Sequence, residues 1–357
     1  MPELWTIEMH VDVENIAARA QQVERDGWAG MQLTDTQNRS PEAYVALTAA
    51  ALATDRIKLG FGVTNPVTRH PALAASAAAA LQRLSDGRMT VTIGRGDSAA
   101  AHIGGAPVRL GVFRAYLSAL TRYVRGEKVP FEDLEGLAMS GMPSISTLSL
   151  DGEPLGSSLE WLRDSDTPVP VEVACSGPKV IGIATELADA PALAVGAVPE
   201  RVAWAIDTVR KARADQGKDV DAPIAAYVNA VAHDDPAVAR RLIRGVLAST
   251  SRFSVMHGSI QGPTDSKTAE VLKAVHSAYD MKGHGTSGSA QANELDDDFV
   301  TSYGICGTPD HVRSRLQELA DLGISKFIFF PRGRAIDPAE ADRARDVMAR
   351  EVLPAFL

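Results

Sequence analysis

The sequence predicts an α/β protein folded as a (β/α)8 TIM barrel, and three observations support this. Apolar segments with the spacing of strands alternate with segments of helical spacing along most of the 357 residues. Eight strands are found in this way, which is the number that closes the barrel. No G-x-G-x-x-G motif stands between the first strand and the first helix, where the competing architecture, an open dinucleotide-binding sheet, places it. We predict one domain over residues 1–357, with insertion segments at about 129–166 and 251–298, after strands four and seven.

Four strand–helix units fill the first part of the chain. Strands are predicted where apolar residues recur at alternate positions or in short runs, at residues 4–9, 30–33, 57–63 and 89–93. Helices are predicted at residues 13–26, 42–53, from 71 onwards, and 110–125. Ser40 is the predicted N-cap of the second helix, and Pro41 occupies its first turn.

The second part begins with residues 129–166, where Gly, Pro and Ser are frequent and a small hairpin is predicted at 145–150. The alternation then resumes, with strands at residues 169–174, near 193, at 224–231 and at 326–330. Helices are predicted at residues 178–187, 199–214, 236–248, 267–279, 307–322 and 338–351. The stretch GHGTSGSA, residues 283–290, is predicted to be a mobile loop of the kind that acts as a lid.

Composition argues against several classes of function. The net charge is -9, so the chain has no general attraction for nucleic acid or for an anionic membrane. No stretch approaches the roughly 20 apolar residues of a membrane span, and no signal peptide is visible. Cys175 and Cys306 are the only cysteines, so a disulfide framework is not expected, which favours a cytoplasmic protein.

Candidate functional residues follow the strands, because barrel enzymes place their active sites at the carboxyl ends of the strands. Carboxylates stand at three of these ends, Glu8, Asp35 and Asp97, and carboxylates can act in acid–base chemistry. Glycines and hydrogen-bonding side chains accompany them in the segments 62–65, 94–98 and 175–179. The set has no spacing that suits a metal and no nucleophile elbow, so neither a metal site nor acyl transfer is expected.

Each candidate also has a structural interpretation, which the sequence leaves open. Asp35 is as well suited to capping the next helix as to chemistry, and Asp97 with Ser98 can form an Asx turn. The tripeptide Ser176-Gly177-Pro178 before a helix is a common N-terminal cap. It is equally an arrangement whose free N–H groups bind phosphate.

Six segments together resemble the luciferase-like monooxygenase superfamily, in its branch that depends on the deazaflavin coenzyme F420, and within that branch the methylenetetrahydromethanopterin reductase-like proteins. In chain order they are TIEMH, LTDTQNR, LGFGVTNPVTRHPALAASA, LSDGRMTVTIGRGDS, VACSGPK and YGICGTPD, which begin at Thr6, Leu33, Leu59, Leu84, Val173 and Tyr303. They span nearly the whole chain, and the third and fourth are the most specific. The resemblance implies a homodimer and a barrel with insertions after strands four and seven.

The resemblance also implies roles for individual residues. A cis peptide bond is implied between Gly62 and Val63, behind the deazaflavin ring, with Thr64 and Asn65 near that ring. The ribityl chain and the phosphate are expected against the loops after strands four and five, at Arg95, Gly96, Ser98, Ser176, Gly177, Pro178 and Lys179.

By the same resemblance, the three carboxylates are candidates for proton transfer, because a buried carboxyl near another has a raised pKa. Asp97 is the first candidate and Glu8 the second, while Asp35 has a more structural role. Many relatives have a histidine after the strand-two aspartate, but this chain has Thr36, which removes an imidazole as candidate base. The segments 129–166 and 251–298 carry none of the family's motifs and are expected to face the substrate.

The resulting prediction is an oxidoreductase that moves a hydride between C5 of coenzyme F420 and a small organic substrate, with neither the substrate nor the direction specified. The alternative is a monooxygenase in which reduced FMN activates oxygen on the same fold, because the predicted phosphate-binding segments suit either cofactor. A flavin-binding protein without turnover is a third interpretation, and the three carboxylates argue against it. The segment GVTNP followed by RHP favours the deazaflavin.

Overall fold

A closed barrel of eight parallel strands forms the centre of the computed structural model, which describes residues 1–137, 142–256 and 258–357. In chain order the strands are β1 (Glu3–Glu8), β2 (Gly30–Leu33), β3 (Lys58–Phe61), β4 (Met89–Ile93), β5 (Val171–Cys175), β6 (Ala190–Leu193), β7 (Ala225–Val228) and β8 (Lys326–Phe329). Hydrogen bonds join them in the circular order β1-β8-β7-β6-β5-β4-β3-β2. This order confirms the predicted (β/α)8 architecture.

Helices connect successive strands on the outside of the barrel. They are α1 (Ile16–Arg25), α2 (Ala43–Ala53), α3 (Pro71–Leu84), α4 (Ser98–Ala101), α5 (Leu110–Val124), α6 (Pro178–Leu187), α7 (Pro199–Asp215), α8 (Pro236–Ser251), α9 (Ser266–Ser277), α10 (Ala290–Asn293), α11 (Asp297–Tyr303), α12 (Pro309–Leu322) and α13 (Pro338–Val347). Within the three described ranges, no helix is both long enough and apolar enough to cross a membrane.

Alternation along β1 separates the barrel interior from the layer of helices. Trp5 and Ile7 are buried in the interior beside Tyr227, while Leu4 belongs to the outer core that packs against the helices. Gly30 of β2 makes room for the Trp5 indole, because a Cβ atom at residue 30 would lie 2.4 Å from that ring. Side chains therefore fill the barrel interior, and space for a ligand is left at the carboxyl ends of the strands.

A buried ion pair lies inside the barrel, between Nζ of Lys326 in β8 and Oε1 of Glu172 in β5, at 2.8 Å. Thr92 donates its hydroxyl proton to the other carboxylate oxygen of Glu172 at 3.0 Å, and Gln32 Nε2 donates to Thr92 at 2.9 Å. The Tyr227 hydroxyl donates to Oε1 of Gln32 at 2.9 Å. Each member of this polar network has a partner, and a satisfied buried network specifies which side chains face one another.

The prediction of a hairpin at residues 145–150 is wrong. Ile145–Leu148 forms a 3-10 helix, and the Ser144 hydroxyl accepts from the Ser146 N–H at its start, at 3.4 Å. Ser149 ends this helix with a φ of 47°, so the backbone lacks the extended geometry that a hairpin strand requires. The antiparallel pair of this connection joins Val129–Pro130 to Gly156–Ser157 instead.

The seventh predicted strand, residues 224–231, is divided into two. Ala225–Val228 belongs to the barrel, whereas Ala230–Ala232 pairs in parallel with Ile305–Gly307 outside it. The division falls at Asn229, whose carbonyl accepts from the N–H of Ile305 at 2.8 Å instead of bonding to a barrel strand. Asn229 thereby reaches the open end of the barrel.

The start of α2 also differs from the prediction. The helix begins at Ala43, and its N-cap is Glu42, whose carboxylate accepts from a first-turn N–H at 2.9 Å. Ser40 is therefore not the cap. Its hydroxyl is engaged with the carbonyls of Thr34 and Pro41, at 3.3 and 3.1 Å.

Candidate active site

A cavity of about 580 Å³ opens at the carboxyl ends of the barrel strands. Its walls come from the loops after β2, β3, β4 and β5, from the ends of β7 and β8, and from the second insertion segment. Every site residue predicted from the sequence except Glu8 lines it: Asp35, Gly62, Val63, Thr64, Asn65, Arg95, Gly96, Asp97, Ser98, Ser176, Gly177, Pro178 and Lys179. The fold therefore brings these distant segments together in one cavity.

The loops after β3 and β4 contribute glycines and a cis peptide bond to the cavity wall. The peptide bond between Gly62 and Val63 is cis, as predicted. A Cβ atom at residue 62 would lie 2.6 Å from Oε1 of Gln32, which the buried polar network holds in place. At Gly94 in the next loop, a Cβ atom would lie 3.1 Å from Cγ2 of Val63. Both glycines are therefore required by close packing within the protein, because a side chain at either residue would collide with Gln32 or Val63.

Two buried amide groups in the wall have no partner for their nitrogen within the part of the chain that the structure describes. Asn65 accepts through Oδ1 from the N–H groups of Val67 and Thr68, at 2.9 and 3.1 Å, and its Nδ2 stays unpaired. Asn229 accepts from the Thr250 hydroxyl at 2.6 Å, and its Nδ2 is also unpaired. Both amides belong to residues that line the cavity, so a bound ligand can offer the acceptor that each nitrogen lacks.

The loops after β4 and β5 have the features of a phosphate site. Helix α6 begins at Pro178, and its N-cap Gly177 has no side chain to cap it, so first-turn N–H groups can bind an anion. Lys179 lies in the same turn and lines the cavity. In the loop after β4, Arg95 donates from Nε to the carbonyl of Val108 at 2.9 Å, which fixes its guanidinium beside the cavity.

Asp35 is a buried carboxyl group of the cavity and does not cap the next helix, whose N-cap is Glu42. The residue is 7% exposed and accepts a hydrogen bond from the Thr64 hydroxyl at 2.6 Å. Burial raises the pKa of Asp35, and this rise is only partly opposed by the hydrogen bond from Thr64 and the charge of Arg69. Asp35 therefore keeps its proton to a higher pH than an exposed aspartate does.

Asp97 is engaged differently, in an ion pair with Arg252 of the second insertion segment. It is the N-cap residue of α4, but its side chain makes no capping hydrogen bond. The guanidinium of Arg252 lies over the Tyr279 ring, 4.4 Å from its centroid. The Tyr279 hydroxyl is 2.5 Å from Nδ1 of His284. Burial lowers the pKa of His284 to about 4, so its imidazole is neutral at pH 7. These four residues link the loop after β4 to the insertion segment.

Glu8 is not part of this cavity, which corrects the site predicted from the sequence. Its side chain has the same parity along β1 as Leu4 and the opposite parity to Trp5, so it points out of the barrel toward the helices. It pairs there with Arg19 of α1 at 2.5 Å and lines a second cavity of about 300 Å³. The alternation of β1 is a signal that could have excluded Glu8.

Several cavity residues are missed by the sequence prediction: Met9, Arg39, Tyr227, Asn229, Phe253, Met256, His284, Phe330 and Arg334. Phe253, Met256 and His284 come from the second insertion segment, which therefore does face the cavity. None of the described residues in the first segment, 129–166, lines the cavity, so the expectation that it faces the substrate is wrong. This segment packs on the outside of the barrel instead, for example through Ser157, whose hydroxyl is 2.7 Å from that of Tyr123.

The fold and this cavity define a class of protein. The profile of the luciferase-like monooxygenase family matches residues 4–326, and the chain belongs to this family. It is similar to 5,10-methylenetetrahydromethanopterin reductase from Methanolobus tindarius, with 26% identity over 345 residues that cover 96% of each chain.

Two solved structures share the fold over nearly their whole length. Coenzyme F420-dependent tetrahydromethanopterin reductase from Methanopyrus kandleri has a TM-score of 0.72 and 21% identity, with 100% of this chain and 99% of that chain covered. An F420-dependent secondary alcohol dehydrogenase in complex with an F420–acetone adduct has a TM-score of 0.70 and 17% identity, with the same coverage.

Proposed function

We propose that the protein is an oxidoreductase that depends on coenzyme F420 and exchanges a hydride with a small organic substrate. The observation that carries this proposal is the pair of unpaired amide donors, Asn65 and Asn229, in the wall that also contains the cis Gly62–Val63 bond. The names of the similar reductase and alcohol dehydrogenase support the choice of cofactor.

The residues present fit such a cofactor. Asn65 and Asn229 would donate to the polar edge of its ring, and the N-terminus of α6 with Lys179 and Arg95 would hold its phosphate. When bound, the cofactor supplies a hydride donor or acceptor at C5 of the ring.

The chain itself contributes binding, exclusion of water and a proton. Phe253, Met256 and Phe330 give the cavity apolar surface, which excludes water from the reactants and so strengthens polar interactions there. Holding both reactants in one cavity replaces a bimolecular encounter with an intramolecular step. A substrate that gains or loses a hydride at carbon also gains or loses a proton, and a side chain in the same cavity can exchange it.

We assign this proton to Asp35 rather than to Asp97, the first candidate from the sequence. A general acid must hold a proton before the reaction, and burial raises the pKa of Asp35 in that direction. Asp97 is already engaged, because it accepts a hydrogen bond from the guanidinium of Arg252 in an ion pair. We infer that Asp97 positions the insertion segment through this ion pair.

Oxidised coenzyme F420 is expected to bind the purified protein with a Kd of roughly micromolar or lower, and more tightly than FMN, in a titration followed by fluorescence. Lys179→Gln should weaken this binding about tenfold, because it removes a charge beside the phosphate site. Lys211→Gln is the matched control, since Lys211 lies on α7 and outside the cavity.

The titration separates the proposed function from its alternative. Selective binding of FMN would contradict the proposal and favour the monooxygenase that uses reduced FMN and oxygen, in agreement with the description of the family. If the protein binds neither cofactor, the hydride-transfer function is refuted while the barrel assignment stands.

We propose that two copies of the chain form a homodimer through α2 and α3. Helix α2 has no charged residue in its 11 positions and exposes Val45 (59%) and Leu52 (68%). The neighbouring helix α3 exposes Leu73 (54%) and Leu84 (52%). An apolar surface shared by adjacent helices is typical of an interface between subunits.

Leu52→Glu is expected to convert the dimer into a monomer, because it places a charge in the apolar contact. Sedimentation velocity at micromolar protein concentration measures the change. Val220→Glu is the control, since Val220 is also exposed (36%) but lies between α7 and β7, on the opposite side of the ring of strands from β2 and β3. A wild-type protein that sediments as a monomer would refute the interface.

We propose that the substrate is a small organic molecule and that the protein works in a reducing compartment such as the cytoplasm. Cys175 and Cys306 are both free and buried, and burial raises the pKa of each thiol to about 12. Thiols of this kind are protonated at pH 7, which disfavours disulfide exchange.

A further inference from the structure

Two arginines, Arg39 and Arg334, line the cavity on the side away from the phosphate site. They follow β2 and β8, which both neighbour β1, whereas the phosphate site follows β4 and β5 on the other side of the ring of strands. A cofactor whose phosphate lies at β4 and β5 leaves the region near β1, β2 and β8 for the second reactant. The two arginines therefore belong to the substrate side of the cavity.

Arg39 is held in place by the loop that carries it. Gln37 donates to the carbonyl of Ala99 at 2.9 Å, and Asn38 donates to the carbonyl of His102 at 2.7 Å. The guanidinium of Arg39 then contacts Nε2 of His102 at 2.9 Å and donates to the carbonyl of His284 at 3.1 Å. These contacts use two of its five N–H groups and leave others for a ligand.

Arg334 is fixed through its backbone. Its N–H donates to the carbonyl of Gly285 at 2.6 Å, and its own carbonyl accepts from Ser287 at 3.1 Å. The stretch predicted to be a mobile loop therefore packs against the end of β8. A Cβ atom at Gly245 of α8 would lie 2.5 Å from the Ser287 nitrogen, so the stretch is also tightly packed from behind. The Arg334 side chain extends from this anchored backbone to the cavity.

Neither arginine has a carboxylate partner within the described ranges of the chain. Arg19 and Arg252 differ in this respect, because they pair with Glu8 and Asp97. The carboxyl group of Asp35, which also lines the cavity, accepts a hydrogen bond from the Thr64 hydroxyl and pairs with neither arginine. Burial and the positive charge of Arg39 both lower the pKa of Arg334.

We propose that Arg39 and Arg334 bind an anionic group of the substrate, a carboxylate or a phosphate, and so orient the substrate against the cofactor. Two arginines in the wall of one cavity offer the planar, bidentate donors that carboxylate and phosphate groups prefer. The inference rests on the proposed function, because it takes the β4–β5 side of the cavity as the cofactor's side.

The test uses the protein saturated with oxidised coenzyme F420, so that the cofactor's own phosphate fills the β4–β5 site. Succinate and inorganic phosphate are titrated by calorimetry, with succinamide as the uncharged probe of matched shape. Both anions should bind and succinamide should not. Arg39→Gln and Arg334→Gln should each weaken anion binding at least about tenfold. Arg332→Gln, which changes an exposed neighbour that lines the second cavity, should change it by less than about twofold.

Three outcomes would overturn the proposal: no anion binds the loaded wild type, the two Gln variants bind anions as the wild type does, or these variants lose affinity for coenzyme F420 itself. The last outcome would assign the arginines to the tail of the cofactor. Arg39→Lys and Arg334→Lys retain the charge and should retain part of the binding, which separates loss of charge from misfolding. If the protein binds FMN instead, the proposed function fails, and the same anion titration is run on the FMN-loaded form.

Discussion

Asp35→Asn is expected to lower the turnover number by about 10²- to 10⁴-fold and to leave the affinity for coenzyme F420 nearly unchanged. Asparagine has the same shape and still accepts a hydrogen bond from Thr64, so the cavity keeps its form while the exchangeable proton is lost. The fluorescence change of the cofactor on hydride transfer measures turnover, with a substrate found by screening alcohols, enones and imines. Cofactor affinity is measured separately by titration.

Asp97→Asn is the informative comparison for this result. Breaking the ion pair with Arg252 should weaken the hold on the insertion segment, so binding of the reactants should suffer together with turnover. A selective loss of turnover in Asp97→Asn, combined with a mild effect of Asp35→Asn, would move the proton role to Asp97.

The pH dependence of stability gives an independent check on Asp35. Its folded-state pKa is raised above the ordinary value of 3.8, so the folded protein binds this proton more tightly than the unfolded chain does. The free energy of unfolding should therefore fall as the pH rises from about 3.8 through the folded-state pKa of Asp35. Asp35→Asn should remove this component. It should also remove the decline in reductive turnover as pH rises, since that direction consumes the proton.

Glu172→Leu is expected to reduce the free energy of unfolding by about 3–5 kcal/mol, because it leaves the charge of Lys326 buried in the barrel without its partner. Each residue of the pair is 8% exposed, so water offers little compensation. The substitution also removes the acceptor of the Thr92 hydroxyl. Urea denaturation followed by circular dichroism measures the change.

The double variant Glu172→Leu with Lys326→Met is the control for this prediction. Replacing both charges with apolar side chains of similar size should restore much of the lost stability, because no buried charge is then unpaired. A single variant as stable as the wild type would show that Lys326 reaches water or another anion.

The barrel was predictable because each strand and helix leaves a periodic pattern in a short stretch of sequence. The strand predicted at 224–231 shows the limit of this approach, since its apolar residues continue across Asn229 while the backbone changes partner there. The hairpin at 145–150 failed because a serine cap and a left-handed residue override the weak pattern. The single-domain boundary at 1–357 stays a prediction.

The cofactor side of the site was more accessible to sequence reasoning than the substrate side. Residues of the cofactor side follow strands directly, as Asn65 and Lys179 do, so their place in the barrel follows from the strand that precedes them. His284 and Arg334 reach the cavity only because the backbone of residue 285 bonds to that of residue 334. A contact between segments so distant in sequence leaves no periodic trace.

The ion pair between Asp97 and Arg252 limits which replacements of the second insertion segment this barrel can accept. Asp97 lies in the loop after β4, and Arg252 stands near the start of the second insertion segment, which lines the same cavity. A chimera that exchanges residues 262–298 retains this ion pair, and it also keeps Phe253 and Gln261, which lie against Ser176 and Gly177. A chimera that also loses Arg252 leaves the carboxylate of Asp97 in the cavity without its charged partner. The ion pair therefore determines where a different segment can be joined to the barrel without leaving an unpaired carboxylate in the cavity.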